Sequence, residues 1–126
     1  MLCAEDVFGL EPVKLKWNIV RGDTATLRID FFEEDEETHY DISNWSITAT
    51  AYDPKAETFD DLIVTVNDGW IVVTAESDIT SFWGAGIKSR VNELSFDVEV
   101  ILDDNTTWTP VRGFISVMGD VTGGNL

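Results

Sequence analysis

The chain is poor in the residues that build disulfides and metal centres. Its 126 residues include one cysteine, Cys3, and one histidine, His39. A single cysteine cannot form an intramolecular disulfide, and zinc sites draw on several Cys and His ligands. We therefore expect no disulfide, no zinc centre and no cofactor.

Basic residues are also scarce. The chain has 8 Lys and Arg residues against 24 Asp and Glu residues, which gives a formal net charge of −16. Phosphate binding needs clustered cations, so this balance argues against direct binding of nucleic acid and of an anionic membrane surface. It favours a solvated acidic face or a partner protein with a basic surface patch.

Long hydrophobic runs are missing as well. No stretch of the sequence approaches the ~20 apolar residues that span a bilayer. The first residues show no basic start followed by an apolar run, which is the pattern of a signal peptide. We expect a soluble protein that folds in a reducing cytoplasm and is not bound to a membrane.

Familiar catalytic motifs do not occur in the sequence. There is no Gly-x-Ser-x-Gly elbow and no Gly-x-x-x-x-Gly-Lys phosphate loop. A Ser-His-Asp triad would have to use His39, which lies beside an acidic loop. Paired carboxylates of the glycosidase type are not evidence for an enzyme here, because 24 acidic residues always supply some pair. We predict that the chain is not an enzyme.

What the sequence does have is period-two alternation of apolar and polar residues, which is typical of half-buried strands. Seven such segments are separated by turn signals, and one helical turn is expected near residues 77–83. This pattern predicts an all-β fold, a single antiparallel β-sandwich of about seven strands. The predicted strands cover residues 14–20, 24–32, 45–53, 62–66, 70–75, 94–102 and 108–122, and residues 54–61 are predicted as a loop.

The clearest local signal is a hairpin at Asp68-Gly69, a pair that suits a two-residue turn with positive φ. Paired residues share a face of the sheet. The register of this turn places Trp70 on the mixed face, away from the core. The same register places Val64, Val66, Ile71 and Val73 together on the other face, which is apolar.

Breakers at Gly9 and Pro12 indicate an irregular N-terminal arm over residues 1–13. The sandwich domain would cover residues 14–122, and a flexible tail residues 123–126. Proline in a sheet is confined to edges, strand starts and bulges. The strand that contains Pro110 and the strand at residues 14–20 are therefore the expected edges, where copies of the chain could self-associate.

Three polar segments resemble known binding sites for integrins or calcium. Arg21-Gly22-Asp23 is the integrin-binding tripeptide, although a turn between two strands is the simpler explanation. The acidic residues 33–37 and the sequence Asp103-Asp104-Asn105 offer oxygen ligands that calcium prefers, which leaves a calcium-dependent adhesion domain open. A solvated loop and a standard turn explain these two segments more simply.

The five tryptophans are the best argument for a binding surface, because Trp is enriched at interface hot spots. Trp17, Trp45 and Trp83 are assigned to the core. Trp70 and Trp108 are predicted to be exposed or interfacial. Together with two residues of the arm, the candidate partner contacts are Trp70, Trp108, Phe8 and Leu10.

Two stretches resemble the opening of immunoglobulin-like domains in tailed-bacteriophage virion proteins. They are residues 21–29 (RGDTATLRI) and residues 41–49 (DISNWSITA). In the N-terminal domain of phage baseplate upper proteins, similar turns launch two successive strands. Residues 96–100 (FDVEV), 108–117 (WTPVRGFISV) and 120–122 (DVT) resemble the closing hairpin of small phage structural proteins.

The resemblance implies an immunoglobulin-like sandwich that assembles through protein contacts without catalysis. We therefore expect a virion structural protein, an adaptor or decoration module of tail, baseplate, fibre attachment or capsid. It would be assembled in the bacterial host cytoplasm, with other virion structural proteins as partners. The alternative from the residues themselves is a carbohydrate-binding module that uses Trp70 and Trp108 as stacking platforms.

Overall fold

The computed structural model describes residues 12–33, 35–84 and 91–119. These residues form an all-β fold with one short helix, as the sequence predicts. The elements are β1 (Val13–Val20), β2 (Ala25–Asp30), β3 (Ser46–Asp53), β4 (Thr58–Val66), β5 (Trp70–Ala75), α1 (Ser77–Thr80), β6 (Asn92–Ile101) and β7 (Thr107–Met118). Phe8, Leu10 and the tail at 123–126 lie outside the described residues, and so does nearly all of the predicted arm.

The strands form one seven-stranded mixed sheet in the order β1-β7-β6-β3-β4-β5-β2, and the sheet is nearly barrel-shaped. Its two end strands, β1 and β2, are consecutive in the chain. Five Cα steps of ~3.8 Å join them, so their facing ends lie within about 19 Å of each other. The short connection therefore holds the two ends of the sheet close together. No helix in these described ranges is long and apolar enough to cross a bilayer.

The expectation of a purely antiparallel sheet is wrong at one position. β1 pairs with β7 in parallel, from Val13 opposite Val111 to Val20 opposite Met118. All other strand pairs are antiparallel. β1 and β7 come from opposite ends of the chain, so no tight turn dictates their relative direction. The prediction uses hairpin signals, which indicate pairing only between strands that are joined by a short turn.

β7 is consequently an inner strand, and the expectation that it is an edge is wrong. β1 is an edge, as predicted. Pro110 lies just before the first residue that pairs with β1. It also lies where the β6–β7 register shifts between Val98 and Val100. At a bulge, a residue without an N–H group leaves the regular ladder intact.

β4 changes partners along its length. Residues 58–62 pair with β3, and residues 63–66 pair with β5. The prediction that residues 54–61 form a loop is therefore wrong for the last four of them. Two acidic residues at 60 and 61 disfavour a strand, but Asp60 accepts a hydrogen bond of 2.8 Å from the Trp83 indole. This hydrogen bond offsets the low preference of Asp60 for a strand.

The hairpin at Asp68-Gly69 has the predicted register. Val64 lies opposite Val73, and Val66 lies opposite Ile71. The positive φ that the turn requires is found at Gly69, where φ is 84°. Val64, Ile71 and Val73 of the predicted apolar face pack in or against the core, whereas Val66 is 44% exposed, so the prediction is confirmed for three of the four residues.

One core lies inside the curved sheet. Both the half that contains β3, β6 and β7 and the half that contains β5 contribute side chains to it. The alternation in β6 is complete, because every second residue from Asn92 to Val100 is buried. Fully buried apolar side chains of this core include Ile71, Val73, Leu94, Val98, Val100, Ile115 and Val117.

The Arg21-Gly22-Asp23 segment is a turn between β1 and β2, as predicted, and it is tied to the helical turn behind it. The Arg21 side chain is only 4% exposed, and its Nε donates a hydrogen bond of 2.7 Å to the Trp83 carbonyl. Thr80 Oγ1 accepts from the Gly22 N–H at 3.1 Å and donates to the Asp23 carbonyl at 2.7 Å. A buried arginine is unsuited to integrin recognition, which needs an exposed tripeptide.

Replacing Thr80 with valine tests this connection, because valine keeps the shape of threonine and removes the hydroxyl. We expect Thr80→Val to lower the free energy of unfolding by about 1–3 kcal/mol, since two backbone groups lose their partner. The same substitution at exposed Thr65, on the outer face of β4, is the control and should change stability by less than about 0.5 kcal/mol. Urea denaturation followed by tryptophan fluorescence measures both. Equal losses would contradict the proposed connection.

β1 approaches β7 closely at one residue. A Cβ atom on Gly113 would lie 1.8 Å from the Leu15 carbonyl oxygen. Any side chain at this position would therefore push the two backbones apart. The absence of a side chain at Gly113 is what allows the parallel pairing of the first and last strands.

We expect Gly113→Ala to displace β1 and to destabilise the fold by about 1–3 kcal/mol, as overpacking does. Hydrogen exchange should show faster exchange of β1 amides than of β3 or β5 amides in this variant. Phe114→Ala, at the neighbouring exposed position, is the control. Protection of β1 equal to that of the unsubstituted protein would show that the backbones tolerate the methyl group.

Candidate binding surface

Trp108 does not lie on the surface, so the prediction that its ring is exposed is wrong. The residue is 9% exposed, because it faces the core at the start of β7, opposite Val100. Its ring packs edge-on against Trp45 and Phe31, with centroid distances of 6.0 and 6.1 Å. Trp17 and Trp83 are buried in the core as predicted, and Trp45 packs against it.

Trp70 is half-buried and lies on the outer face, as the hairpin register predicts. The guanidinium carbon of Arg28 lies 3.8 Å from its ring centroid, a cation–π contact. Arg28 in turn forms an ion pair of 2.9 Å with Asp30, and Asp30 Oδ1 lies 3.1 Å from His39 Nε2. One face of the Trp70 ring is thus already occupied within the protein.

The Arg28 hydrogen bond lowers the pKa of the Asp30 carboxyl below its ordinary value. Partial burial opposes this change, and the His39 hydrogen bond supports it. Asp30 is therefore held ionised between two partners. The cluster on this side of the sheet orders the Trp70 ring on the surface.

The outer face of the other half of the sheet carries a row of side chains that the sequence does not reveal. Phe59 lies opposite Tyr52, and Tyr52 lies opposite Ser95 on the next strand. Ser95 lies opposite Phe114, and Phe114 lies opposite Lys16 on the edge strand. A single row of neighbours therefore runs across β4, β3, β6, β7 and β1.

The rings in this row are exposed to solvent. Phe59 is 73% exposed and Phe114 is 50% exposed, although large apolar side chains usually avoid water. The Phe59 and Tyr52 rings lie with their centroids 4.6 Å apart and their planes inclined at 37°. This pair forms an aromatic platform at one end of the row.

A second row runs beside the first and is rich in charge. Thr50 lies opposite Asp97, Asp97 lies opposite Arg112, and Arg112 lies opposite Lys14. Lys14 and Lys16 are both on β1, two residues apart, so their side chains share the outer face. The basic groups are therefore gathered at the β1 end, opposite the aromatic platform.

The two rows border an open groove of about 710 Å³. Its walls include Lys14, Lys16 and Arg112, against one acidic residue, Asp97, so its local charge is 3 − 1 = +2. In the part of the chain that the structure describes, the close contacts between oppositely charged groups join Asp30 to Arg28 and, when its ring is protonated, to His39. None involves the basic side chains of the groove. We call this surface, lined by Phe59, Tyr52, Phe114, Lys14, Lys16 and Arg112, the aromatic–basic face.

The acidic turns have local hydrogen-bonding roles. Asp35 accepts hydrogen bonds from the backbone of Glu37 and Thr38, and Asp104 accepts from the Thr106 N–H at 2.9 Å. The Thr38 hydroxyl lowers the pKa of Asp35, and the Thr106 contacts lower that of Asp104. Over residues 12–33, 35–84 and 91–119, no group of three or more His, Cys, Asp and Glu side chains is placed to hold a metal ion.

No protein-family model matches this chain, and no curated protein sequence matches it significantly. The basis for proposing a function is therefore the chain's own geometry and sequence. Sequence reasoning found Trp70 but missed the aromatic–basic face. Its residues come from five strands, and the prediction lacked both the start of β4, which pairs with β3, and the parallel pairing of β1 with β7.

The Asp30 cluster predicts a pH effect. Because the pKa of Asp30 is lowered on folding, its stabilising contribution is present above the ordinary value of 3.8 and is lost as the pH falls through the folded-state pKa. At pH 7 we expect Asp30→Asn to be less stable than Asp61→Asn by about 1 kcal/mol or less. Both variants remove one negative charge, so the comparison cancels the effect of net charge.

The difference in melting temperature between these two variants should shrink between pH 5 and pH 3. Circular dichroism across this range measures it. A difference that stays constant with pH would mean that ionisation of Asp30 does not stabilise the cluster.

Proposed function

We propose that this chain is a bacteriophage virion structural protein that binds neighbouring subunits through the aromatic–basic face. The observation that carries the binding role is the exposure of Phe59 and Phe114 on an ordered sheet. Exposed rings on a rigid surface are typical of protein interfaces, where aromatic residues and arginine are enriched. The virion assignment is supported by the resemblance of residues 21–29 and 41–49 to phage immunoglobulin-like domains. It is also supported by the resemblance of residues 96–100, 108–117 and 120–122 to the closing hairpin of small phage structural proteins.

The proposed architecture is an immunoglobulin-like sandwich with additional curvature. The change of partner within β4 supports it, because this strand divides the sheet into a part with β3 and a part with β5. The parts share one core, as two packed layers do.

In this role the protein is an adaptor or decoration module of tail, baseplate, fibre attachment or capsid, assembled in the cytoplasm of the bacterial host. It binds by burying surface and catalyses no reaction. A stable interface usually buries at least ~1,000 Å² in total, which exceeds a single groove, so Trp70 and the arm with Phe8 and Leu10 are proposed as additional contacts. The acidic remainder of the surface would steer the protein toward basic patches on other subunits.

A second candidate is a carbohydrate-binding module. The Tyr52–Phe59 ring pair favours it, because exposed aromatic rings can stack on sugars. The two tryptophans predicted as stacking platforms support this candidate less, since Trp108 is buried and one face of Trp70 is covered by Arg28. Glycan-array binding that is lost in Phe59→Ala and kept in Phe82→Ala would favour this candidate over the first.

The virion proposal predicts that the chain is a component of purified particles. Mass spectrometry of gradient-purified particles, from a host that carries the gene, should recover its peptides in constant proportion to the major capsid protein. An abundant host cytoplasmic protein, followed through the same gradient, controls for contamination. Absence of the chain from the particles would end the proposal.

A further inference from the structure

The aromatic–basic face differs in sign from the rest of the molecule. The whole chain has a net charge of −16, whereas the groove walls carry +2. Three of the 8 Lys and Arg residues, Lys14, Lys16 and Arg112, are placed there. The structure describes three other Lys and Arg residues: Arg21 is buried, Arg28 is paired with Asp30, and Lys55 is exposed in the turn between β3 and β4.

Protection of a sheet edge explains only part of this arrangement. Lysines on an edge strand commonly discourage pairing with other chains, and Lys14 and Lys16 lie on edge strand β1. Arg112, however, is on inner strand β7, and edge protection gives no reason for the exposed rings of Phe59 and Phe114 on the same rows. The combination of rings and cations points to a ligand with complementary groups.

We propose that the aromatic–basic face binds an extended acidic segment of a partner protein, with aromatic or apolar residues at one end and carboxylates at the other. This rests on the proposed function, because it names the chemistry of the subunit that the face contacts. The carboxylates lie against Lys14, Lys16 and Arg112. The apolar end lies on the Tyr52–Phe59 platform, 4.6 Å between ring centroids.

The sheet spacing sets the length of the segment. The row from Phe59 on β4 to Lys16 on β1 crosses four gaps between neighbouring strands. At ~4.8 Å per gap the row is about 19 Å long, which an extended segment of about six residues spans at ~3.3 Å per residue. Shorter acidic segments reach only one end of the face.

Fluorescence anisotropy with labelled hexapeptides tests the proposal. The probes are a peptide with two Phe residues followed by Gly and three Glu residues, the reversed order, and an analogue with Lys in place of Glu. We expect at least one acidic peptide to bind at least tenfold more tightly than the lysine analogue. Its affinity should fall as salt is raised, because the ion pairs are exposed.

Two matched pairs of variants locate the binding. Lys16→Glu should weaken the acidic peptide at least tenfold, whereas Lys55→Glu, with the same change in net charge outside the groove, should weaken it less than twofold. Phe59→Ala should weaken binding severalfold, whereas Phe82→Ala removes a ring of similar exposure, 76% against 73%, and should have no effect. Thermal melts confirm that all four variants fold.

Several results would overturn the proposal. They are no binding by either acidic peptide, equal losses in Lys16→Glu and Lys55→Glu, or binding of heparin at this face in place of the peptides. Sedimentation that shows a dimer lost in Lys16→Glu would assign the face to a second copy of the chain. If the acidic peptides bind but the chain is absent from virions, only the virion role is refuted. If the chain is present in virions but the peptides do not bind, only the present inference is refuted.

Discussion

The parallel pairing of β1 with β7 is the interaction on which the rest of the structure depends. It joins the first and last described strands over the whole length of β1, from Val13 to Val20. Gly113 permits it by leaving room for the Leu15 carbonyl. Since β1 continues directly into the turn at Arg21, the same pairing places that turn against the helical turn at Thr80.

The candidate site is a product of this pairing. Lys14 and Lys16 become neighbours of Arg112 and Phe114 only because β1 lies beside β7 in this register. A shift of one residue would turn both lysines toward the core. The strand that completes the sheet is thus also the strand that supplies most of the positive charge to the aromatic–basic face.

The location of charge matters more for recognition than its total here. A net charge of −16 favours binding to basic partner surfaces, but the groove is a local region of positive charge. Local fields act over a Debye length of about 10 Å at moderate salt, comparable to half the length of the face. One acidic molecule can therefore present its basic groove to an acidic segment and its remaining surface to basic neighbours.

The sequence by itself determined the elements that rest on local physics. Alternation predicted six strands closely, and Asp68-Gly69 predicted a turn with its register, because pleat and turn geometry involve only neighbouring residues. It also predicted that Trp70 lies outside the core. It could not predict the start of β4, because the Trp83 contact that accommodates Asp60 comes from a residue 23 positions away.

Only the tertiary structure decided which strands meet and in which direction. The burial of Trp108 depends on Trp45 and Phe31, which come from distant parts of the chain. The aromatic–basic face depends on five strands brought into register by the sheet. A pattern of period two says which side of its own strand a residue occupies, whereas the neighbours on that side are set by long-range pairing.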